Sequence, residues 1–371
     1  MFSIPFFNNN SAWKEGKFSI PWQANRISIY SVLSSNYDNT KARLLDVMLE
    51  LPDEEALIKE NEIRFVAGGL EGAFGHHSKP EDVDKNASKA YSAIKRLLQN
   101  PNSKNIDLFY RTVNSESALE YIDPLLDKII SDRSINHNHL RIFAEWLTKS
   151  SPDRGPVKIG LAILGLYSAD ELKELFFLMG SHEEFTLYAT VAIQNFTDDN
   201  ENGIWRIAKS VAGWGRIHAV ERLKDTENKK IKEWMVREGY QNSIMYEYLA
   251  YLCATSGGLL SELQNPKPDD ALIIGAGEIL RALVNGGPAE DMSDYLYGIE
   301  ASTLYLQHLQ NQDSNLETYD VVSSLQNYFN ESNASQNDKA KITSLADEYL
   351  SRAGWIERCL LYTSPSPRDR G

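Results

Sequence analysis

The sequence predicts an all-α protein built from consecutive antiparallel helix pairs. From residue 40 onward, apolar residues recur at the i, i+3, i+4 and i+7 spacing of one helix face, and no run of alternating apolar and polar residues suits a strand. Residue types that begin and end helices stand at the borders of these segments. The loops between segments are short, so consecutive helices should lie side by side.

The clearest predicted pair lies between residues 168 and 194. Ser168 with Glu171 has the pattern of a capping box, and Gly180 marks the helix end. The apolar stripe of this helix consists of Leu172, Leu175, Phe176 and Met179. Ser181 with Glu184 repeats the capping-box pattern at once, which predicts a turn of about two residues and an antiparallel second helix.

Similar pairs follow along the chain. Their first helices are predicted to start near His137, Ser168, Glu201, Asn228, Asp269 and Asn315. Core stripes are predicted at Ile244, Tyr248, Tyr251 and Leu252, in a helix 289–311 at Met292, Tyr295, Leu296 and Ile299, and in the next helix at Val321, Leu325, Tyr328 and Phe329. The segment 156–166 is apolar almost all round, as expected of an inner helix with Pro156 in its first turn.

The recurring helix pair over residues 40–357 resembles the HEAT and armadillo-like helical-repeat proteins. The resemblance implies helix pairs stacked as an irregular HEAT/armadillo-like α-solenoid with a concave binding face, and it does not imply catalysis. A compact, non-repeating helical bundle is the structural alternative.

Three regions are expected along the chain. Residues 1–38 form an irregular aromatic N-terminal arm, which either docks its aromatic side chains on a partner or packs back on its own domain. Residues 39–358 form the helical-repeat domain. Residues 359–371 resemble a translated sequencing adapter, so the natural C-terminus is expected to be missing.

Composition and charge narrow the classes of function. The 38 Lys and Arg residues against 52 Asp and Glu residues leave a net charge of −14, which makes nucleic acid an unfavourable partner. No segment has the length and apolarity of a membrane span, and the N-terminus lacks a signal-peptide pattern, so we expect a cytoplasmic protein with no membrane contact. Cys253 and Cys359 show no ligand spacing, and we expect no metal and no cofactor.

No catalytic residue is predicted. His182-Glu183-Glu184 lacks the second histidine of a zinc-peptidase motif and is interpreted as the first turn of a helix, with both carboxylates at the positive end of its dipole. His137 and His139 are interpreted as a helix start, and His76 with His77 as polar loop residues. Phosphate loops, dinucleotide fingerprints and nucleophile elbows are absent from the sequence, which favours a protein that is not an enzyme.

The most distinctive local chemistry surrounds Gly213-Trp214-Gly215. The two glycines indicate a tight inter-helix turn with close backbone approach, and the following residues are locally basic. The predicted ligand-binding or partner-binding residues are Trp214, Arg216, His218, Arg222, Tyr246 and Glu247. The competing interpretation assigns them structural contacts between neighbouring repeats.

Three hypotheses of function follow. The first is a non-enzymatic scaffold that binds a protein partner on the concave face of a helical solenoid. The alternative is a small-ligand-binding protein or enzyme with a pocket around Trp214, Arg216, His218 and Glu247. A third draws on HEAT-like DNA glycosylases, similar only in architecture, with the basic stretch 216–237 against phosphates. The acidic net charge argues against it.

Overall fold

The computed structural model describes residues 9–35, 83–114, 118–196, 199–310, 312 and 316–352. Within these ranges the regular elements are helices, which confirms the predicted all-α class. The chain divides into two compact units, residues 1–222 and 223–371. The predicted features at His76 and His77, at Asn315, and at Cys359 with the rest of segment 359–371 lie outside the described residues.

The N-terminal arm contains two short helices that its sequence did not predict, α1 (Asn9–Glu15) and α2 (Ile29–Ser34). The Ser28 hydroxyl begins α2 by accepting the Ser31 N–H at 3.2 Å. The arm's aromatic rings lie on the helices that follow in the same unit: Trp13 stacks on His139 with centroids 4.2 Å apart, Phe18 meets Phe143 at 5.3 Å, and Trp22 meets Tyr110 at 5.0 Å. Of the two interpretations of the arm, these contacts support packing on its own domain.

The remaining helices of the first unit follow one another with short connections. They are α3 (Val83–Gln99), α4 (Ser103–Asn114), α5 (Ala118–Ser131), α6 (His137–Ser150), α7 (Arg154–Leu164), a 3₁₀ turn (Asp170–Leu172), α8 (Lys173–Gly180), α9 (Glu183–Gln194), α10 (Asn200–Ala208) and α11 (Trp214–Glu221).

Consecutive helices of this unit pack in pairs, α6 with α7, α8 with α9, and α10 with α11. Helices α7, α9 and α11, the second members of these pairs, also contact one another in order, and α5 contacts α7. We call α5, α7, α9 and α11 the second-helix row. Because α7 lies against α4, α5, α6 and α9, its residues are buried almost all round, which confirms the inner helix predicted at 156–166.

Both predicted capping boxes are wrong, although the apolar stripe between them is buried as predicted. The Ser168 hydroxyl donates to the carbonyl of Asn195 at 2.7 Å, and the helix begins with the 3₁₀ turn at Asp170. The Ser181 hydroxyl likewise donates to the carbonyl of Leu178, and the N-cap of α9 is His182, whose Nδ1 accepts the Glu184 N–H at 3.3 Å. In both cases the hydroxyl donates to a main-chain carbonyl instead of accepting a helical N–H.

The second unit is built around its longest helices. Its elements are α12 (Lys229–Trp234), a π-helical turn (Met235–Gly239), a 3₁₀ turn (Tyr246–Tyr248), α13 (Ala250–Ser256), α14 (Leu259–Leu263), α15 (Asp270–Asn285), α16 (Gly298–Leu309), α17 (Leu316–Glu331) and α18 (Gln336–Leu350). Helix α15 contacts the π turn, α13, α16 and α17, and α18 packs on α16 and α17. Asn228 and Asp269 are the N-caps of α12 and α15, which confirms the helix starts predicted there.

One predicted stripe of the second unit is wrong in part and another is wrong. The helix predicted over 289–311 begins only at Gly298, and Leu296 of its stripe is 84% exposed, although Met292 and Tyr295 are buried as predicted. The stripe from Ile244 to Leu252 is interrupted because the Asn242 side chain accepts the N–H groups of Ile244 and Met245 in a turn. Helix α13 therefore begins at Ala250, and it buries Ala250, Ala254 and, as predicted, Cys253.

Phe185 of α9 provides a test of this core. Its ring is fully buried, so we expect Phe185→Ala to lower the free energy of unfolding by about 3 to 5 kcal/mol through a large cavity. Val191 on the same helix is 43% exposed, and Val191→Ala should change the value by less than about 0.5 kcal/mol. Urea denaturation of both variants measures the difference, and equal midpoints would contradict the assignment of the buried face.

Candidate functional site

Four of the six predicted site residues belong to α11 or its end, in the first unit. Trp214 and His218 are buried, and their ring centroids lie 6.4 Å apart. His218 Nδ1 lies 3.7 Å from Glu221 Oε2. Arg216 is half-buried and its Nε donates to the carbonyl of Val211 at 2.8 Å. Trp214 and His218 are therefore interior residues, and Arg216 is engaged in a local main-chain contact.

The other two predicted residues, Tyr246 and Glu247, lie in the 3₁₀ turn of the second unit, where both are half-buried. The Tyr246 ring meets the edge of Tyr240 at 5.4 Å, and burial raises the pKa of its hydroxyl. Glu247 Oε1 accepts the side-chain N–H of Asn285 at 3.2 Å. The predicted residues thus form two groups that belong to different compact units.

The Gly213-Trp214-Gly215 turn is shaped by a carboxylate from α9. Glu183 Oε1 accepts the N–H groups of Ala212 and Gly213, both at 2.7 Å, and Glu183 Oε2 accepts the N–H of Gly215 at 2.5 Å. This carboxylate satisfies backbone donors at the start of α11, where the helix dipole also favours negative charge. A side chain at Gly215 has no room, since a Cβ there would lie 2.5 Å from Thr186 Oγ1. The predicted close approach of this turn is explained by its contact with α9.

The neighbouring Glu184 points to the other side of α9. Its Oε1 forms a salt bridge of 2.5 Å with Lys158 Nζ of α7, and the two side chains are only 4% and 5% exposed. Arg154 Nη1 lies 3.6 Å from the same oxygen at the protein surface. Such a buried pair is tolerated only when both charges are matched, because removing either partner leaves a desolvated charge.

His182-Glu183-Glu184 therefore joins three members of the second-helix row. His182 begins α9, Glu184 connects it to α7, and Glu183 begins α11. The sequence correctly predicted a helix start here, but it assigned both carboxylates to the dipole of their own helix. Their partners lie 26 or more residues away along the chain, and no local spacing signals such contacts.

The second-helix row also contains a cavity of about 180 Å³ that the sequence did not predict. Its walls come from α5, from α7 and the residues after it, from α9, and from Arg222 at the end of α11. Apolar side chains line most of it, including Leu119, Leu126, Leu166, Leu187 and Val191. Of the predicted site residues in this unit, Arg222 is the one in the cavity wall.

Arg222 Nη1 donates to the carbonyl of His218 at 2.7 Å, while its Nε is buried without a hydrogen-bond partner among the described residues. Burial lowers the pKa of this guanidinium, and the nearby Glu221 carboxylate acts in the opposite direction. The cavity thus combines an apolar lining with a partly desolvated positive charge at one wall.

Comparisons of the chain with protein-family models, with curated proteins and with solved structures gave no match. Within the described ranges, no group of three or more His, Cys, Asp or Glu side chains is arranged to hold a metal ion. None of the described helices combines the length and the apolar character needed to cross a membrane.

Glu183 can be tested through the helix that it caps. In Glu183→Gln the amide N–H₂ replaces an oxygen that now accepts backbone donors, so we expect a loss of about 1 to 2 kcal/mol in unfolding free energy. Amide hydrogen exchange at residues 214–221 should accelerate in the same variant. The exposed Asp127 on α5 provides the matched control, since Asp127→Asn removes the same charge without a cap. Unchanged exchange in α11 of Glu183→Gln would reject the capping role.

The buried ion pair calls for a double-variant comparison. We expect Lys158→Met to cost about 3 to 5 kcal/mol because Glu184 stays buried, and Lys158→Met with Glu184→Leu to recover most of this loss. Lys149→Met removes the half-exposed pair with Glu145 and should cost no more than about 1 kcal/mol. The denaturation midpoints of these variants measure the differences in stability. A double variant no more stable than Lys158→Met would contradict the proposed coupling.

Proposed function

We propose that this chain is a non-enzymatic scaffold that binds a protein partner. In this proposal the helix pairs stack as an irregular HEAT/armadillo-like α-solenoid, and the partner lies along its concave face. The observation that carries the proposal is the second-helix row, since a repeated contact between second helices is how two-helix repeats stack.

Several charged side chains of the first unit form contacts between helices, which supports a structural role for them. Glu183 and Glu184 hold α11 and α7 to α9, and Arg26 of the arm forms two hydrogen bonds with Asp153, at 2.7 and 3.0 Å. The Asp153 carboxylate also accepts a hydrogen bond from the hydroxyl of Tyr110, and the pKa of this hydroxyl is raised by burial and by this contact. These titratable side chains join one helix to the next, as the packing of a scaffold requires.

The partner-binding surface that we propose in the first unit is the open side of the second-helix row around the cavity. Leu119, Leu126, Leu166 and Leu187 are half-buried there, and Val191 is 43% exposed. These side chains belong to three different helices or their ends, and they form a contiguous apolar surface. Such a surface with a central concavity is what a protein interface uses to anchor apolar side chains.

The proposal is tested by charge insertion at matched exposed residues. Val191 lies in the proposed surface and Leu108 of α4 lies outside it, and their exposed fractions are 43% and 41%. We expect a protein captured in stoichiometric amount by the tagged full chain from its native host to be lost with Val191→Asp and retained with Leu108→Asp. Quantitative mass spectrometry of the captured proteins measures both.

Two results would reject this surface. Either Val191→Asp retains the partner at the level of the unaltered chain, or Leu108→Asp loses it to the same degree. Circular dichroism of both variants establishes that neither change acts through unfolding.

A further inference from the structure

Arg222 differs in its partners from arginines that pair with a carboxylate of another segment. Arg26 pairs with Asp153 at 2.7 Å, Arg141 with Glu171 at 2.5 Å, and Arg237 with Asp269 at 2.9 Å. Arg222 forms no ion pair with any of the described residues, and its one hydrogen bond goes to a main-chain carbonyl.

This guanidinium is only partly solvated. Arg222 is half-buried, and burial lowers its pKa while the neighbouring Glu221 carboxylate acts to raise it, so this charge has lost water and has one nearby anion with which it forms no ion pair. A guanidinium carries five N–H donors, and the carbonyl of His218 uses one of them. An anion that reached the remaining Nη N–H groups would gain charge-assisted hydrogen bonds and relieve the desolvation penalty.

The rest of the cavity determines what kind of anion fits. The side chains of Ile122, Leu126, Leu187 and Val191 make most of the lining apolar, so the body of the ligand should be hydrocarbon. The volume is about 180 Å³, and a cavity of about 150 Å³ suffices for benzene in a protein core. By this ratio the cavity encloses about seven non-hydrogen atoms, and because it is partly open, a ligand of roughly eight to ten atoms fits with one end at the opening.

The charge of the ligand is limited by the same walls. Arg222 is the one cation among the lining residues, and Asp123 contributes an exposed carboxylate to the lining. A dianionic phosphate would need more donors than one guanidinium and would be repelled more strongly by Asp123. A single carboxylate matches the one guanidinium and is repelled less by Asp123 than a dianion would be.

We propose that the cavity is a binding site for a small monocarboxylate with an apolar body, of the size of a medium-chain fatty acid. The carboxylate lies on the Arg222 guanidinium, and the hydrocarbon chain lies between α5 and α9 along α7. This site does not depend on the proposed scaffold function, since a small ligand needs only the first unit to be folded.

The test uses three probes with the same chain and different head groups, titrated into the purified full chain by isothermal titration calorimetry. We expect octanoate to bind at least about tenfold more tightly than 1-octanol, because hydrogen bonds to a charged group contribute more than neutral ones. Octylammonium should bind most weakly, since its charge repels Arg222. Absence of octanoate binding, or 1-octanol binding as tightly as octanoate, would overturn the proposal.

Variants then assign the site. Arg222→Gln should weaken octanoate binding by about tenfold or more and leave 1-octanol binding unchanged. Arg206→Gln is the matched control, because Arg206 is an arginine of the first unit outside this cavity. Ala162→Phe should abolish the binding of both probes by filling the cavity between α5 and α9.

An Arg222→Gln variant that binds octanoate like the unaltered chain would overturn the proposal. If circular dichroism shows that Arg222→Gln or Ala162→Phe fails to fold, the comparison of octanoate with 1-octanol on the unaltered chain still tests the proposed carboxylate site. Octanoate binding without any protein partner would reject the scaffold alone, and capture of a partner without octanoate binding would reject this site alone.

Discussion

The packing of the first unit depends on contacts made by the first turn of α9. Helix α9 lies between α7 and α11, and two adjacent carboxylates fasten it to both. Glu184 balances the buried charge of Lys158, and Glu183 accepts backbone donors at the start of α11. Removing Glu184 would leave the buried Lys158 unpaired, and removing Glu183 would take an acceptor from backbone N–H groups at the start of α11, so the positions of the three helices are coupled.

The contacts of this turn also determine where the cavity lies. Helix α11 has only two turns, and its start is held by Glu183 against the beginning of α9. Its other end carries Arg222, which is thereby brought to the later residues of α9, including Tyr188, Val191 and Asn195. Because Glu183 holds the start of α11, the other end of this short helix places the Arg222 guanidinium in the cavity wall. Gly215 allows this arrangement, because the space of its missing Cβ is occupied by Thr186 and Glu183.

Helix periodicity and helix starts were predictable because they are local. The starts at His137, Asn228 and Asp269 fall within a residue of the observed helices, and the stripe Leu172–Met179 is buried. The capping boxes failed because a serine hydroxyl can donate as well as accept, and Ser168 and Ser181 both donate to carbonyls. The prediction that Leu296 is buried was wrong because apolar spacing continues through a turn, in which the Asp291 carboxylate accepts the N–H and the hydroxyl of Ser293.

The candidate site was less predictable than the fold, because it depends on contacts between residues that are far apart in the sequence. Arg222 was named from the sequence as one of several basic residues, and nothing local separates it from Arg216, whose Nε is bonded to the carbonyl of Val211. The difference arises from residues more than 20 positions away, since α5, α7 and α9 supply apolar walls and no carboxylate that pairs with Arg222. A partly buried cation facing such walls is unfavourable in the isolated chain. An anion with a hydrocarbon body is the complement that this environment would stabilise.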